Sequence, residues 1–350
     1  MKLNYKVIEL DLEFTFAISR GSKNTSRTII LELEYQHNSK TIKALGESVF
    51  SRFYGEDETS VSNFYNQVIS HNLLADLDPF DNQEFQARIA TIPGNNQAGK
   101  AGLDMALWDL RAKLVNLPLY RFLGLSASRA PKTSYTIGIA DLETMKTKTL
   151  IALERGYDIL KVKVGTENDI KIMETIRQSA PQATIRVDAN AAWSLEQAIK
   201  TLEEIKHFDI EFVEEPLKLE SSPSDYLSLF EQSSIPLMAD ESCKTLKDIP
   251  YCAKYFHSIN LKHTKTGGLT EAIRMIHSAR AHNLKIMLGC FTETSISITA
   301  FAHLSPLVDF ADLDGSLLLK QDPYCGVEFI NNQIKLPERP GLGIINASEI

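Results

Sequence analysis

The chain has 350 residues, 43% of them hydrophobic, and a formal net charge of −8. That balance offers no basic face to nucleic acid, and no apolar run of ~18 residues is present to span a membrane, so a freely soluble globular protein is expected. Cys243, Cys252, Cys290 and Cys325 are scattered without a C-x-x-C or a metal-binding spacing, which reads as reduced thiols in a cytoplasmic protein; Glu9, Asp11 and Glu13 near the start leave no apolar core for a secretory signal.

In chain order, three strand-like runs come first, at 5–16, 28–35 and 41–49, and read as an antiparallel meander. The polar stretch Ser19–Ser26 between the first two has turn chemistry and is expected to be a loop. Helical patterns follow at 60–72, 82–92 and 97–117; in the last, Leu103, Ala106, Leu107 and Leu110 have the spacing of one buried face. Residues 1–122 therefore read as an α+β capping domain.

A different order then takes over. Lys163, Asp188, Glu214, Asp240 and Lys265 each close a short β-branched or apolar run, and subtracting their positions gives intervals of 25, 26, 26 and 25 residues. Such an interval holds one strand, one helix and two short loops, the repeat of a parallel sheet. The same ruler finds runs at 135–137 upstream and at 286–288 and 310–314 downstream, making eight strand positions, the number that closes a (β/α)-barrel. Helical patterns alternate with them at 142–155, 167–178, 194–205, 225–232, 246–254 and 270–281; Ser194 with Gln197 makes a capping box, and Pro250 weakens the fifth. The expected fold class is α/β: a modified TIM (β/α)-barrel over 123–318, the N-terminal α+β capping domain before it, and a Gly- and Pro-rich segment, 319–350, packing back on that domain.

Barrel strands deliver their C-terminal ends to one mouth. Asp188, Glu214 and Asp240 would repel one another there without a cation, and three oxygen donors with room left for water and substrate suit Mg²⁺ better than Zn²⁺. Three acids that merely solvate the rim or cap helices would not need equal spacing. Lys163 precedes the acids and Lys265 follows them; period two puts Lys161 on the inward face with Lys163. Two ammonium groups near a divalent ion are expected to have lowered pKa values, which makes a neutral lysine available as a general base.

These residues resemble the enolase superfamily, muconate-lactonizing subgroup, over nearly the whole chain. The matching motifs are K-x-K (Lys161, Lys163), D-A-N (Asp188, Asn190), E-E-P (Glu214, Pro216), D-E-S (Asp240, Glu241) and K-x-G-G (Lys265, Gly267, Gly268). Met105–Asp109 is similar to the capping-domain signature of the family and Arg339–Gly343 to its closing stretch. The resemblance implies a Mg²⁺-held substrate carboxylate, an enediolate formed when a lysine removes the α-proton, and 1,1-proton transfer between Lys163 and Lys265. Residues 284–290 hold no histidine, which disfavours the mandelate-racemase branch.

Asp312-Leu313-Asp314 resembles the D-x-D with which dipeptide epimerases hold the α-ammonium group of the substrate. The implied activity is epimerisation at the second residue of L-Ala-Xaa-type dipeptides. The alternative is another enzyme of the subgroup, such as an o-succinylbenzoate synthase, an N-acylamino acid racemase or a cycloisomerase or lyase. The resemblance also implies substrate contacts from Thr136, Lys161, Glu293 and Ser295. Members specific for Ala-Glu carry a basic residue in a capping-domain loop; Gly21 stands where it would align, with Arg20 and Lys23 nearby, so Xaa is open between apolar residues and Glu. The expected partner is a small molecule, with neither nucleic acid nor membrane, and a homo-oligomer is compatible with the sequence.

Overall fold

The computed structural model describes residues 1–349. Strands β1 (Lys2–Ile18), β2 (Gly21–His37) and β3 (Lys40–Val49) form an antiparallel sheet in that order. On β2, Ile29, Leu31 and Leu33 alternate inward and are fully buried. They pack against Phe64 and Tyr65 of α1 (Glu58–Ser70) and Leu103 and Leu107 of α3 (Gln97–Leu114), with α2 (Asn82–Ile89) between these helices in sequence. Close approach of α3 to β3 requires Gly102, since a Cβ there would run into Ser48.

The stretch expected as a loop between the first two strands is mostly strand. β1 and β2 stay paired out to Ile18 and Gly21, leaving Ser19-Arg20 as a two-residue turn. Both faces of this hairpin tip are largely exposed, so no apolar alternation marks it. The hairpin instead reaches the barrel, where the amide of Ile139 donates to the carbonyl of Ala17 at 3.0 Å.

Eight parallel strands follow in sequential order: β4 (Tyr135–Ile137), β5 (Ile159–Lys163), β6 (Thr184–Asp188), β7 (Ile210–Glu214), β8 (Leu237–Ala239), β9 (Ser258–Leu261), β10 (Lys285–Leu288) and β11 (Phe310–Ala311). A bridge between Thr133 and Ala311 joins the first to the last and closes the barrel. Outward residues such as Val162, Val187, Val213 and Ile259 pack on the surrounding helices. Inside, Phe212, Met238, Met287 and Phe310 form a small apolar floor, across which the Arg186 guanidinium lies 5.3 Å from the Phe212 ring and 5.1 Å from that of Phe310.

Ser194 makes its capping box as expected. Pro250 does not interrupt the fifth helical pattern: a 3₁₀ turn, Leu246–Asp248, leads into a helix, Ile249–Tyr255, with the proline in its first turn, where the missing amide costs nothing. β9 ends at Leu261, earlier than its apolar pattern suggests, and the helix Ser295–Ala302 was not marked by any pattern. In the C-terminal segment, the amide of Leu342 donates to Asp109 on α3 at 2.7 Å, while Asn332 bonds to Thr133 and Asp158 of the barrel. Among the described residues no helix is long and apolar enough to cross a membrane.

Candidate active site

Lys161 and Lys163 point inward from β5, and both are buried. Asp188 ends β6, Glu214 ends β7 and Asp240 directly follows β8, all with negligible exposure. Lys265 does not close a strand. It sits on a one-turn helix beyond β9, His263–Thr266, which turns back through Gly267 and Gly268 with φ of +85° and +124°. A Cβ at these glycines would strike Gln97 and Asp104 of α3, so the capping domain presses directly on this turn.

Each acid meets at least one lysine. Lys163 Nζ donates to Asp188 Oδ2 at 2.6 Å. Lys161 Nζ lies 3.1 Å from Asp188 Oδ2, 2.8 Å from Glu214 Oε2 and 2.8 Å from Asp312 Oδ2. Lys265 Nζ donates to the Asp240 carboxylate, to its carbonyl at 2.6 Å and to the carbonyl of Asn260 at 2.9 Å. Lys262 Nζ takes the other carboxylate oxygen of Asp240 at 2.6 Å.

Burial and charge pull these groups in different directions. Burial would raise Asp188 and Asp240, but Lys163 and Lys161 hold the first, and Lys262 and Lys265 the second, below the usual carboxylate range. Glu214 is pushed up to about 7 by burial and then by Asp188. Burial would lower Lys161, yet Asp312, Glu214 and Asp188 raise it well above an ordinary lysine. Three carboxylates surround Lys161 and hold it charged.

Asp312 and Asp314 follow β11 and both border the same cavity, of about 460 Å³, with Thr136, Lys161 and Lys163. Asp312 accepts from Lys161 and, at 2.5 Å, from Ser134 Oγ; these partners outweigh burial and lower its pKa. Asp314 accepts from the Thr136 amide at 2.6 Å, but burial and Asp312 raise it to about 7. Phe16, Ile18, Phe53 and Phe291 supply apolar wall. Arg20, on the hairpin turn, donates to Glu241 and to the Asn190 carbonyl, each at 2.6 Å, and lies over the Phe53 ring. Lys23 borders the cavity too, donating to Ser26 Oγ at 3.2 Å.

Glu293 and Ser295 lie apart from the cavity lining. Glu293 Oε2 is 2.7 Å from His263 Nε2, and Ser295 donates from its hydroxyl to Asp322 at 2.7 Å at the start of the Ser295–Ala302 helix. Lys265 is also behind the lining, turned onto Asp240. Two residues were missed. Lys262 borders the cavity, and period two from Asn260, whose Nδ2 donates to Glu214 at 2.8 Å, marks it as inward. Glu215, at φ +34°, turns its carboxylate under the amides of Asp240 at 2.7 Å and Ser242 at 3.0 Å.

The residues fit a divalent ion in donor type and in unmet demand. Among the described residues, the buried side-chain oxygens without a hydrogen-bond donor include Asn190 Oδ1, Glu214 Oε2, Glu241 Oε2 and Asn260 Oδ1, all at this mouth. Glu214 Oε2 has only the ion pair with Lys161, whose alignment is not that of a hydrogen bond. No three acid, His or Cys side chains of the described residues already converge on one point, because lysines stand between the acids. Strand placement and the orphaned oxygens weigh more than that side-chain arrangement, since carboxylates rotate while strand ends do not.

Comparison with known proteins agrees in extent and kind. The family model described as mandelate racemase / muconate lactonizing enzyme, N-terminal domain, matches residues 6–124, and that described as enolase C-terminal domain-like matches 145–348. An L-Ala-D/L-Glu epimerase of Bacteroides thetaiotaomicron is 37% identical over 99% of this chain and 88% of its own length. A hydrophobic dipeptide epimerase of Roseobacter litoralis is 35% identical over 98% of each chain. Among solved structures, a dipeptide epimerase from Cytophaga hutchinsonii, complexed with Mg and D-Ala-L-Val, superimposes with a TM-score of 0.91 at 28% identity, covering 99% of this chain and 96% of the other.

Proposed function

Since this chain belongs to the mandelate racemase / muconate lactonizing enzyme family, we propose that it is a Mg²⁺-dependent dipeptide epimerase, inverting the α-carbon of the second residue of L-Ala-Xaa-type dipeptides. One observation carries this reading: Lys163 and Lys265 flank the row of acids from β5 and from the turn beyond β9, with Lys163, Asp312 and Asp314 bordering the cavity and Lys265 behind its lining. Asp188, Glu214 and Asp240 would hold Mg²⁺, which when bound supplies positive charge to the substrate carboxylate as the α-proton becomes acidic. One lysine takes that proton from one face, and the other returns a proton to the opposite face. Lys161 is kept charged by its three carboxylates and contributes fixed positive charge rather than base chemistry. Asp312 and Asp314 would receive the ammonium group of the first residue and so set the α-carbon between the two lysines, with Thr136 holding Asp314 in place.

The apolar wall supports an apolar second residue. Arg20 already serves Glu241, so it is not free to meet a substrate carboxylate. Free cysteines and the acidic balance support a cytoplasmic location, with neither nucleic acid nor membrane as partner. The test is incubation with Mg²⁺ and L-Ala-L-Xaa dipeptides in D₂O, followed by proton NMR. Deuterium at the second α-carbon, with appearance of the L,D diastereomer, is expected, faster for Leu or Phe than for Glu. Elimination products without epimer would favour a lyase, and no exchange from any dipeptide would end the reading.

A further inference from the structure

Behind Lys265 lies a buried histidine–glutamate pair that the proton-transfer scheme leaves unused. His263 and Glu293 are both shut off from solvent, with His263 Nε2 2.7 Å from Glu293 Oε2. The two come from different parts of the barrel: His263 opens the one-turn helix that carries Lys265, and Glu293 belongs to the loop after β10. We propose that this pair anchors the Lys265 turn against the row of acids, making His263 a positioning residue for proton transfer on the face that Lys265 serves and not on the other.

The two lysines are held differently. Lys163 is part of a strand, paired in register with Asp188 on β6, so the ladder itself fixes its backbone. Lys265 rides on four helical residues, and an isolated turn of that length has no stability of its own. Something outside the turn must hold it, and His263 is where the holding contacts meet. Its carbonyl accepts from the amides of Gly267 at 2.9 Å and Gly268 at 3.0 Å and from Thr266 Oγ1 at 3.1 Å, which closes the turn. Its ring meets Glu293 and stands edge-on to Phe301 with centroids 5.7 Å apart. The neighbouring Thr264 donates to the carbonyl of Val49, at the end of β3, at 2.9 Å.

Burial makes the anchor stiff. Burial alone would keep the imidazole neutral, but Glu293 prevails and raises its pKa. Glu47 of β3 is the second carboxyl facing the pair; it is bonded to Thr294 and Ser297, and burial with Glu293 raises it in turn. Lys23 acts on Glu293 from the hairpin. A hydrogen-bonded pair so far from water has no solvent to exchange into, so its geometry is kept. Neither side chain contacts Lys265 Nζ, which is turned to Asp240 and Asn260; the effect of His263 runs through the backbone of the turn.

The inference rests on the two-lysine reading, and the experiment separates the two. Exchange of the α-proton into D₂O is measured from the L,L and the L,D diastereomer of one dipeptide, with Lys163→Ala and Lys265→Ala assigning each face to its lysine. His263→Asn is expected to slow exchange on the Lys265 face by about tenfold or more and the other face by less than about twofold, with little change in KM. His263→Gln, whose longer side chain carries an amide donor out to the position of Nε2, should recover part of the loss. If His263→Asn does not fold because Glu293 is stranded, the double variant His263→Leu with Glu293→Leu removes both charges and should show the same one-sided loss. Equal slowing of both faces in folded protein would overturn the inference and leave the pair a purely structural role, as would full activity on both faces. If the lysine variants themselves fail to divide the faces, the two-base reading fails and this proposal falls with it.

Discussion

Glu214 is the side chain on which the metal assignment turns, because its surroundings supply charge but not a full set of donors. One oxygen accepts from Asn260 and the other has only Lys161 beside it. Glu214→Gln keeps an acceptor for Asn260 and leaves Lys161 with Asp188 and Asp312. Folding at pH 8 should therefore be largely intact, while turnover falls by at least ~100-fold. Circular dichroism and the epimerase assay check the two halves, and full activity would remove Glu214 as a metal ligand. The proposed role of Asp312 and Asp314 in choosing the substrate class is open to a comparable test. Stranding a desolvated ammonium group costs roughly 3–5 kcal/mol, and each ~1.4 kcal/mol is tenfold, so Asp312→Asn with Asp314→Asn should lower kcat/KM for a free dipeptide by at least ~100-fold. An N-acylated substrate has no such charge and should be spared; equal losses on both would assign the two acids to the fold.

At the scale of elements, α3 shows how a helix end is satisfied from a distance. Its N-cap, Asn96, makes no side-chain cap, and the amide of Ala98 instead reaches both oxygens of the buried Glu56 at 3.1 Å. Burial raises the Glu56 pKa to about 7, against an ordinary 4.5, so the folded state holds a proton that the unfolded chain has lost in between. The contribution is therefore present at low pH, declines as pH rises from 4.5 toward 7 and is constant above. Glu56→Gln keeps the acceptor without the charge: its Tm should match the parent near pH 4.5, exceed it increasingly toward pH 7 and hold that margin at pH 8. A constant difference across that range would show that Glu56 is not the titrating group. The elements themselves were unevenly legible. Equal spacing of charged strand ends exposed the barrel, because every βα repeat must cross the same height. The helix Ser295–Ala302 escaped notice because all eight of its residues are buried and no polar face marks a period. The hairpin tip escaped for the opposite reason, having no buried face. The interval of Lys265 fits the ruler although its strand ends at Leu261, while Lys262, three residues earlier and facing the cavity, falls off the ruler.

For the whole molecule, the boundary drawn at residue 122 separates sequence patterns more cleanly than it separates energy. Met105 and Ala112 of α3 belong to the same apolar core as Ile137, Leu269 and Phe301 of the barrel. Three buried carboxylates from the first part of the chain bond to the rest: Asp104 to the Thr270 amide at 2.9 Å, Glu47 to that of Thr294 at 3.1 Å, and Asp109 to that of Leu342 at 2.7 Å. Cutting the chain at the boundary would strand these donors and acceptors together with the apolar faces they join, so neither part should be stable alone. The intact protein is accordingly expected to melt in a single calorimetric transition, and residues 123–350 expressed alone to give none. Asp104→Ala should lower that one transition, at a cost of roughly 2–3 kcal/mol for a buried bond to a charged group, rather than split it. Because Asp104 also packs against Gly268, next to the turn that carries Lys265, the same substitution should slow exchange on the Lys265 face before any unfolding is detected. Two resolved transitions, or a cooperative melt of the isolated barrel, would show that the interface contributes less than its buried carboxylates imply, and would free the Lys265 turn from control by the capping domain.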